Sequence, residues 1–181
     1  VALLGRAAKA SGSLDRALAE LRGVHRSWPE SVGVTLDLAE VLHDLGEAQE
    51  ACEVLRAGIA LDSGHWLLWG KLAKVLYGVK AFEEGLAATQ EALRLAPEQT
   101  DKLLKRHAVL LSANGQGGPA RELMLELLED NPDDANLLYN LAYSHDLDCQ
   151  LEQSRERYEQ SIALDPDSAK ALSALAWLYS G

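Results

Sequence analysis

Cysteine is nearly absent: only Cys52 and Cys149 occur among 181 residues, in unrelated contexts and with no C-x-x-C spacing. Two are too few for a disulfide framework and lack the spacing of a zinc or redox site, so both read as free thiols. Long apolar runs are missing as well. Trp66-Leu67-Leu68-Trp69 is typical of those present, whereas a spanning helix needs roughly 20 such residues, so no direct membrane insertion is expected. Positive charge is in deficit, with 17 Lys+Arg against 28 Asp+Glu and a formal net charge of −11. That balance argues against nucleic acid or an anionic lipid surface as a partner, because a phosphate backbone is gripped through clustered Lys and Arg. The histidines His25, His43, His65, His107 and His145 are dispersed, with no H-x-x-x-H pair, so neither a metal nor a cofactor is expected. The first residues lack a Met, a basic leader and a full apolar core. The chain therefore reads as a piece of a longer protein, and a cytoplasmic location is favoured over a periplasmic one, which would need a removed signal.

What is present is an internal repeat. Pro29, Pro97, Pro132 and Pro166 are 68, 35 and 34 residues apart, a 34-residue period with Ser63 filling one place and one residue inserted near Thr100. In the same phase, a large residue followed by a small one returns as Leu4-Gly5, Leu38-Ala39, Leu72-Ala73, His107-Ala108, Leu141-Ala142 and Leu175-Ala176. Later in the period a small residue recurs at Ala17, Ala51, Gly85, Ala120 and Ser154. A second set follows four residues on, at Leu21, Leu55, Thr89, Met124 and Tyr158, and a third three beyond that, at Val24, Gly58, Ala92, Leu127 and Ser161. Offsets of four and three lie on one face of an α-helix, so each period is two amphipathic helices.

Turns rich in breakers separate the halves, as at Leu45-Gly46-Glu47 and Asn114-Gly115-Gln116-Gly117-Gly118. Gly relieves the left-handed strain of a helix C-cap, and the prolines close each period. The phases predict 11 helices at about 1–10, 14–27, 31–44, 48–61, 65–78, 82–95, 99–113, 118–130, 134–146, 151–163 and 168–180. Short turns make each pair an antiparallel hairpin, with small residues such as Ala39 and Ala51 letting the backbones approach.

With Trp69, Leu72, Ala73, Leu76, Gly85, Ala92 and Pro97 in one period, and Leu138, Leu141, Ala142, Ser154, Tyr158 and Pro166 in another, the chain resembles a tetratricopeptide repeat (TPR) array over essentially its whole length. The resemblance implies an all-α, right-handed α–α superhelix, a solenoid of about five hairpins plus a terminal helix. As a single solenoid over 1–181, its repeats fall at about 1–31, 32–65, 66–100, 101–134 and 135–168, with a partial one at 169–181. The departures are His107, His145, Ser63 and Cys149, the last standing where Gly is usual. Leu172, Leu175, Trp177 and Tyr179 leave apolar surface on the final helix, so either the parent chain continues or this helix self-associates.

The resemblance also implies a non-catalytic scaffold that binds a protein or peptide in a concave groove lined by the first helices. Outward-pointing places there give Lys71, Lys74 and Tyr77, then Lys102, Lys105 and Arg106, then Asn136, Tyr139, Asn140 and Tyr143, and finally Lys170 and Trp177. This set is basic, aromatic and amide-bearing, whereas Glu122, Glu126, Glu129, Asp130, Asp133 and Asp134 fall on a second helix or its exit, so acid is expected to face outward and base inward. An acidic or C-terminal peptide is the favoured ligand, since cations there speed its encounter and aromatics anchor it. Lys105, Asn140 and Lys170 match three places of the family's carboxylate clamp, while Val109 and Ala174 do not. The alternative is a recruiting or regulatory arm of a larger enzyme of glycosyltransferase or sulfotransferase type, or of a bacterial envelope or secretion assembly machine.

Catalytic constellations are missing. Gly115-Gln116-Gly117-Gly118-Pro119 opens a helix but has no preceding strand and no Lys-Ser/Thr, so it reads as a hairpin turn and not a phosphate cradle. Ser144-His145-Asp146 holds the residue types of a hydrolase triad, yet consecutive helical residues point in different directions. Asp146-Leu147-Asp148 lacks the later Gly and Glu of a calcium loop. No catalytic residue is assigned.

Overall fold

The computed structural model describes residues 14–180, and among them lie ten α-helices, a short 3-10 turn at Pro97–Gln99 and no strand. Every described helix begins and ends within one residue of its predicted bounds. The helix expected at 1–10 and the turn at 11–13 lie outside the described residues. No described helix is long and apolar enough to cross a membrane. The chain divides into two compact units, 1–103 and 104–181.

The first unit holds α1 (Leu14–Ser27), α2 (Val32–Asp44), α3 (Ala48–Leu61), α4 (Trp66–Gly78), α5 (Phe82–Leu95) and the first turn of α6 (Thr100–Ala113). Each of α1 to α4 packs on its successor, and α2 also touches α4, which joins the first helices of adjacent hairpins. The periodic positions form the core: Leu38, Ala39 and Leu42 of α2, Ala51 and Leu55 of α3, and Leu72, Ala73 and Leu76 of α4 are all buried. The closest approach is at Gly58. A Cβ there would stand 2.9 Å from Thr35 Cγ2 and 3.4 Å from Leu68 Cδ2, so α3 meets both α2 and α4 with no room for a side chain.

The second unit holds the rest of α6, then α7 (Gly117–Asp130), α8 (Ala135–Leu147), α9 (Leu151–Leu164) and α10 (Ala169–Ser180). Ala108, Ala120, Met124, Leu127, Leu137 and Leu141 form one buried cluster across α6, α7 and α8. Ser161, one period on from Leu127, is buried and donates its hydroxyl to the Ala135 carbonyl at 2.8 Å, which satisfies a polar group inside the α8–α9 contact. On α10, Leu172, Trp177 and Tyr179 are exposed, as the apolar pattern anticipates. Trp28, just past the end of α1, is 60% exposed.

One turn geometry recurs four times. After α2, the amide of Glu47 bonds to the Leu42 carbonyl and that of Gly46 to His43, which is the Schellman closure of a helix end. The same pair of bonds is made by Ala81 and Lys80, by Gln116 and Gly115, and by Gln150 and Cys149. The pivotal residue has positive φ each time: 84° at Gly46, 60° at Lys80, 77° at Gly115 and 56° at Cys149. At the other end of each hairpin, Ala96, Asn131 and Asp165 precede prolines and leave the helical region, with φ of −140°, −139° and −132° and ψ of 72°, 80° and 84°, in keeping with the clash that disfavours helical backbone before Pro. Asp62 adopts the same conformation before Ser63, where its Oδ1 accepts from the Gly64 amide at 3.1 Å and holds the turn in place of proline.

Two contrasts follow. Gly23→Ala, in an open stretch of α1, is expected to stabilise the fold by about 0.5–1 kcal/mol, while Gly58→Ala lowers stability by roughly 1 kcal/mol through overpacking; thermal or urea unfolding of the two variants gives the sign of each. Lys80→Gly and Cys149→Gly remove left-handed strain and are each expected to raise stability by about 0.5–1 kcal/mol, measured in the same way.

Candidate functional site

The candidate residues lie on first helices, and the structure pairs several of their charges. In the first unit, Lys71 on α4 reaches Glu40 on α2, with Nζ 3.3 Å from Oε2. Lys74 and Tyr77 share that helix, the Tyr77 ring tilting against Phe82 at 5.9 Å. Burial, followed by the charge of Lys74, holds the His43 imidazole below its ordinary range. Lys102 is exposed in the first turn of α6.

In the second unit, Lys105 lies 2.8 Å from Asp134, the N-cap of α8, which also accepts from the Leu137 amide at 2.9 Å. Burial opposes ionisation of Asp134, but the Lys105 and backbone donors outweigh it and hold the carboxyl below its usual range. Arg106 and His107 are partly buried, and burial pulls both below their ordinary values. Asp134, expected to face outward with the acid of a second helix and its exit, stands instead with Lys105, as Glu40 stands with Lys71.

Lys170 differs from these two. Its ammonium sits 4.5 Å over the Tyr139 ring and donates to Asn136 Oδ1 at 2.5 Å, joining α10 to α8 through a cation–π contact and a neutral amide. Behind it, Tyr139 packs on the buried Tyr158 ring at 5.5 Å, and burial holds the Tyr158 hydroxyl above the ordinary tyrosine range. Asn140 is half-buried on α8, Tyr143 is exposed, and Trp177 on α10 is 65% exposed. His145 is partly buried, with Nδ1 2.6 Å from Gln150 Oε1.

Sequence reasoning overlooked a row of ion pairs along the second helices. Arg22 bonds Glu50, and one period later Arg56 bonds Glu84, at closest distances of 2.6 and 2.8 Å. The signal was available, since Arg22 and Arg56, like Glu50 and Glu84, are each 34 residues apart. These side chains are well exposed, so solvent and salt screen the pairs. In the second unit, Arg121 reaches Asp148 at 2.6 Å and the Ser144 carbonyl at 3.2 Å. Among the described residues no group of three or more His, Cys, Asp or Glu could hold a metal ion.

Residues 3–65 match the family model described as tetratricopeptide repeat. Solved structures extend the likeness across the chain. The thermophilic TPR protein TTC0263 of Thermus thermophilus superposes with a TM-score of 0.79 at 17% identity, over 98% of this chain and 96% of its own. The fold is that of a tetratricopeptide-repeat protein. PilF of Pseudomonas aeruginosa gives a TM-score of 0.75 at 21% identity over 99% of this chain and 82% of its own. YrrB, described as a TPR protein with an unusual peptide-binding site, gives 0.69 at 19% identity over 94% and 87%. No curated protein matches the chain. Tetratricopeptide repeats are protein–protein interaction scaffolds, generally non-catalytic, and the fold implies a protein or peptide partner.

The two lowered histidines give the fold a pH dependence. Native His43 and His107 bind a proton less readily than they do in the unfolded chain, so the unfolded state takes up more protons below about pH 6.5. Stability is expected to be full above that value and to fall as the pH drops towards about 5. His107→Leu should flatten the slope in urea titrations at successive pH values; an unchanged slope would contradict burial as the cause.

Proposed function

We propose that the chain is a non-catalytic scaffold whose first-helix surface receives a partner peptide, and that in the second unit this peptide presents a carboxylate to Lys170. One observation carries the reading: Lys170 is positioned by the Asn136 amide and the Tyr139 ring, not by a carboxylate. Its positive charge stays available to an incoming anion, whereas Lys71 and Lys105 already face Glu40 and Asp134. Asn136 and Asn140 add amide donors for a carboxylate or a peptide backbone, and Tyr139, Tyr143 and Trp177 supply the flat, rigid apolar area common at binding hot spots. Lys74, Tyr77 and Lys102 offer the same chemistry on the first unit. The description of YrrB as a peptide binder supports a peptide as the ligand class.

A peptide array spanning acidic, neutral and basic sequences, with free and amidated C-termini, tests the proposal. Acidic or free-carboxylate peptides are expected to bind best, and Lys170→Ala to weaken them by about tenfold, worth about 1.4 kcal/mol. Lys102→Glu with Lys105→Glu should weaken them further, and binding that persists unchanged in these variants would remove the first-helix surface as the site.

A further inference from the structure

The second unit carries an apolar cleft that the first-helix surface does not include. It has a volume of about 700 Å³ and is lined by the carboxyl-terminal halves of α7 and α9 and by Pro132 and Asp133 of the α7–α8 turn. Its apolar lining includes Leu125, Leu128, Leu138 and Leu164. Leu125 and Leu164 are 45% and 43% exposed, so apolar surface faces water in a concave setting.

The charge around the cleft has one predominant sign. Glu129 and Asp133 line it and outnumber its one lining cation, Arg157, which donates to the neutral Gln160 at 2.9 Å and keeps its charge. Asp130 ends α7 and Asp165 caps α9, next to the cleft in sequence on both helices. Both helices terminate here, each presenting unpaired carbonyls and the negative end of its dipole. Neither has a basic residue in its last turn to offset that end.

We infer that this cleft docks a short partner segment in which leucine-sized side chains are flanked by Lys or Arg. The apolar side chains fill the floor, and the cations meet Glu129, Asp133 and the two helix ends. A second copy of this chain is the poorer occupant, since each copy carries a net charge of −11 and would bring acid to acid. The preference is opposite in sign to that of the Lys170 surface and does not depend on it.

A short fluorescent peptide of Leu and Lys at helical spacing, and a twin with Glu in place of every Lys, would be titrated into the full chain by fluorescence anisotropy. The Leu/Lys peptide is expected to bind saturably, more weakly as salt rises, and the Leu/Glu twin not to bind. Leu125→Ser with Leu164→Ser, and separately Glu129→Lys with Asp133→Lys, should each weaken binding by about tenfold or more. All four side chains are exposed, so circular dichroism should match the parent. Equal binding of the twin, undiminished binding by either double variant, or no saturable binding overturns the inference. So does a dimer that the Leu125→Ser, Leu164→Ser pair dissolves, since it would assign the cleft to a second copy.

Discussion

The rest of the first unit depends on how closely its helices approach. At Gly58 the gap to Thr35 leaves room for a hydrogen and nothing larger. Around that point Ala39, Ala51 and Ala73 are fully buried, and the leucines beside them reach the neighbouring hairpin. A hairpin cannot cover its own apolar stripe, so each repeat draws its stability from the next, and a small residue in one helix sets the position of a large residue in another. The recurring Schellman turn and the shared non-helical backbone of Asp62, Ala96, Asn131 and Asp165 keep the hairpins alike enough for that exchange to repeat. Lys80 and Cys149 accept left-handed backbone for the same reason: the turn is fixed by the helices it joins.

The helices were legible in the sequence because offsets of three and four, repeated every 34 residues, report burial directly. The turn at Cys149 was legible too, since its phase matches Gly115 and Gly46. Charge was harder to read. That Lys71 meets Glu40, and Lys105 meets Asp134, depends on side-chain reach between neighbouring first helices and on a capping residue, neither of which a helical face reveals. The cleft between α7 and α9 was likewise hidden, because its leucines fall on helical positions that read as ordinary surface or core.

The first-helix lysines differ in what holds them. Lys71 and Lys105 are spent on neighbouring carboxylates, whereas Lys170 is held by an amide and an aromatic ring. The Ser161 hydroxyl and the Tyr139–Tyr158 contact hold α8 and α9 together beneath it. The cluster is therefore backed by packed helices and does not rest on a loop, which lowers the cost of ordering it on binding. The net charge of −11 acts on an approaching charged molecule at long range, and the sign of the local surface acts at short range.

The most direct measurement is an NMR titration of the labelled chain with an acidic peptide bearing a free C-terminal carboxylate. The account predicts the largest shifts at the Asn136 side-chain amide, the Tyr139 ring and the Lys170 ammonium. Shifts confined to other helices, with these three groups unmoved at saturation, would contradict it.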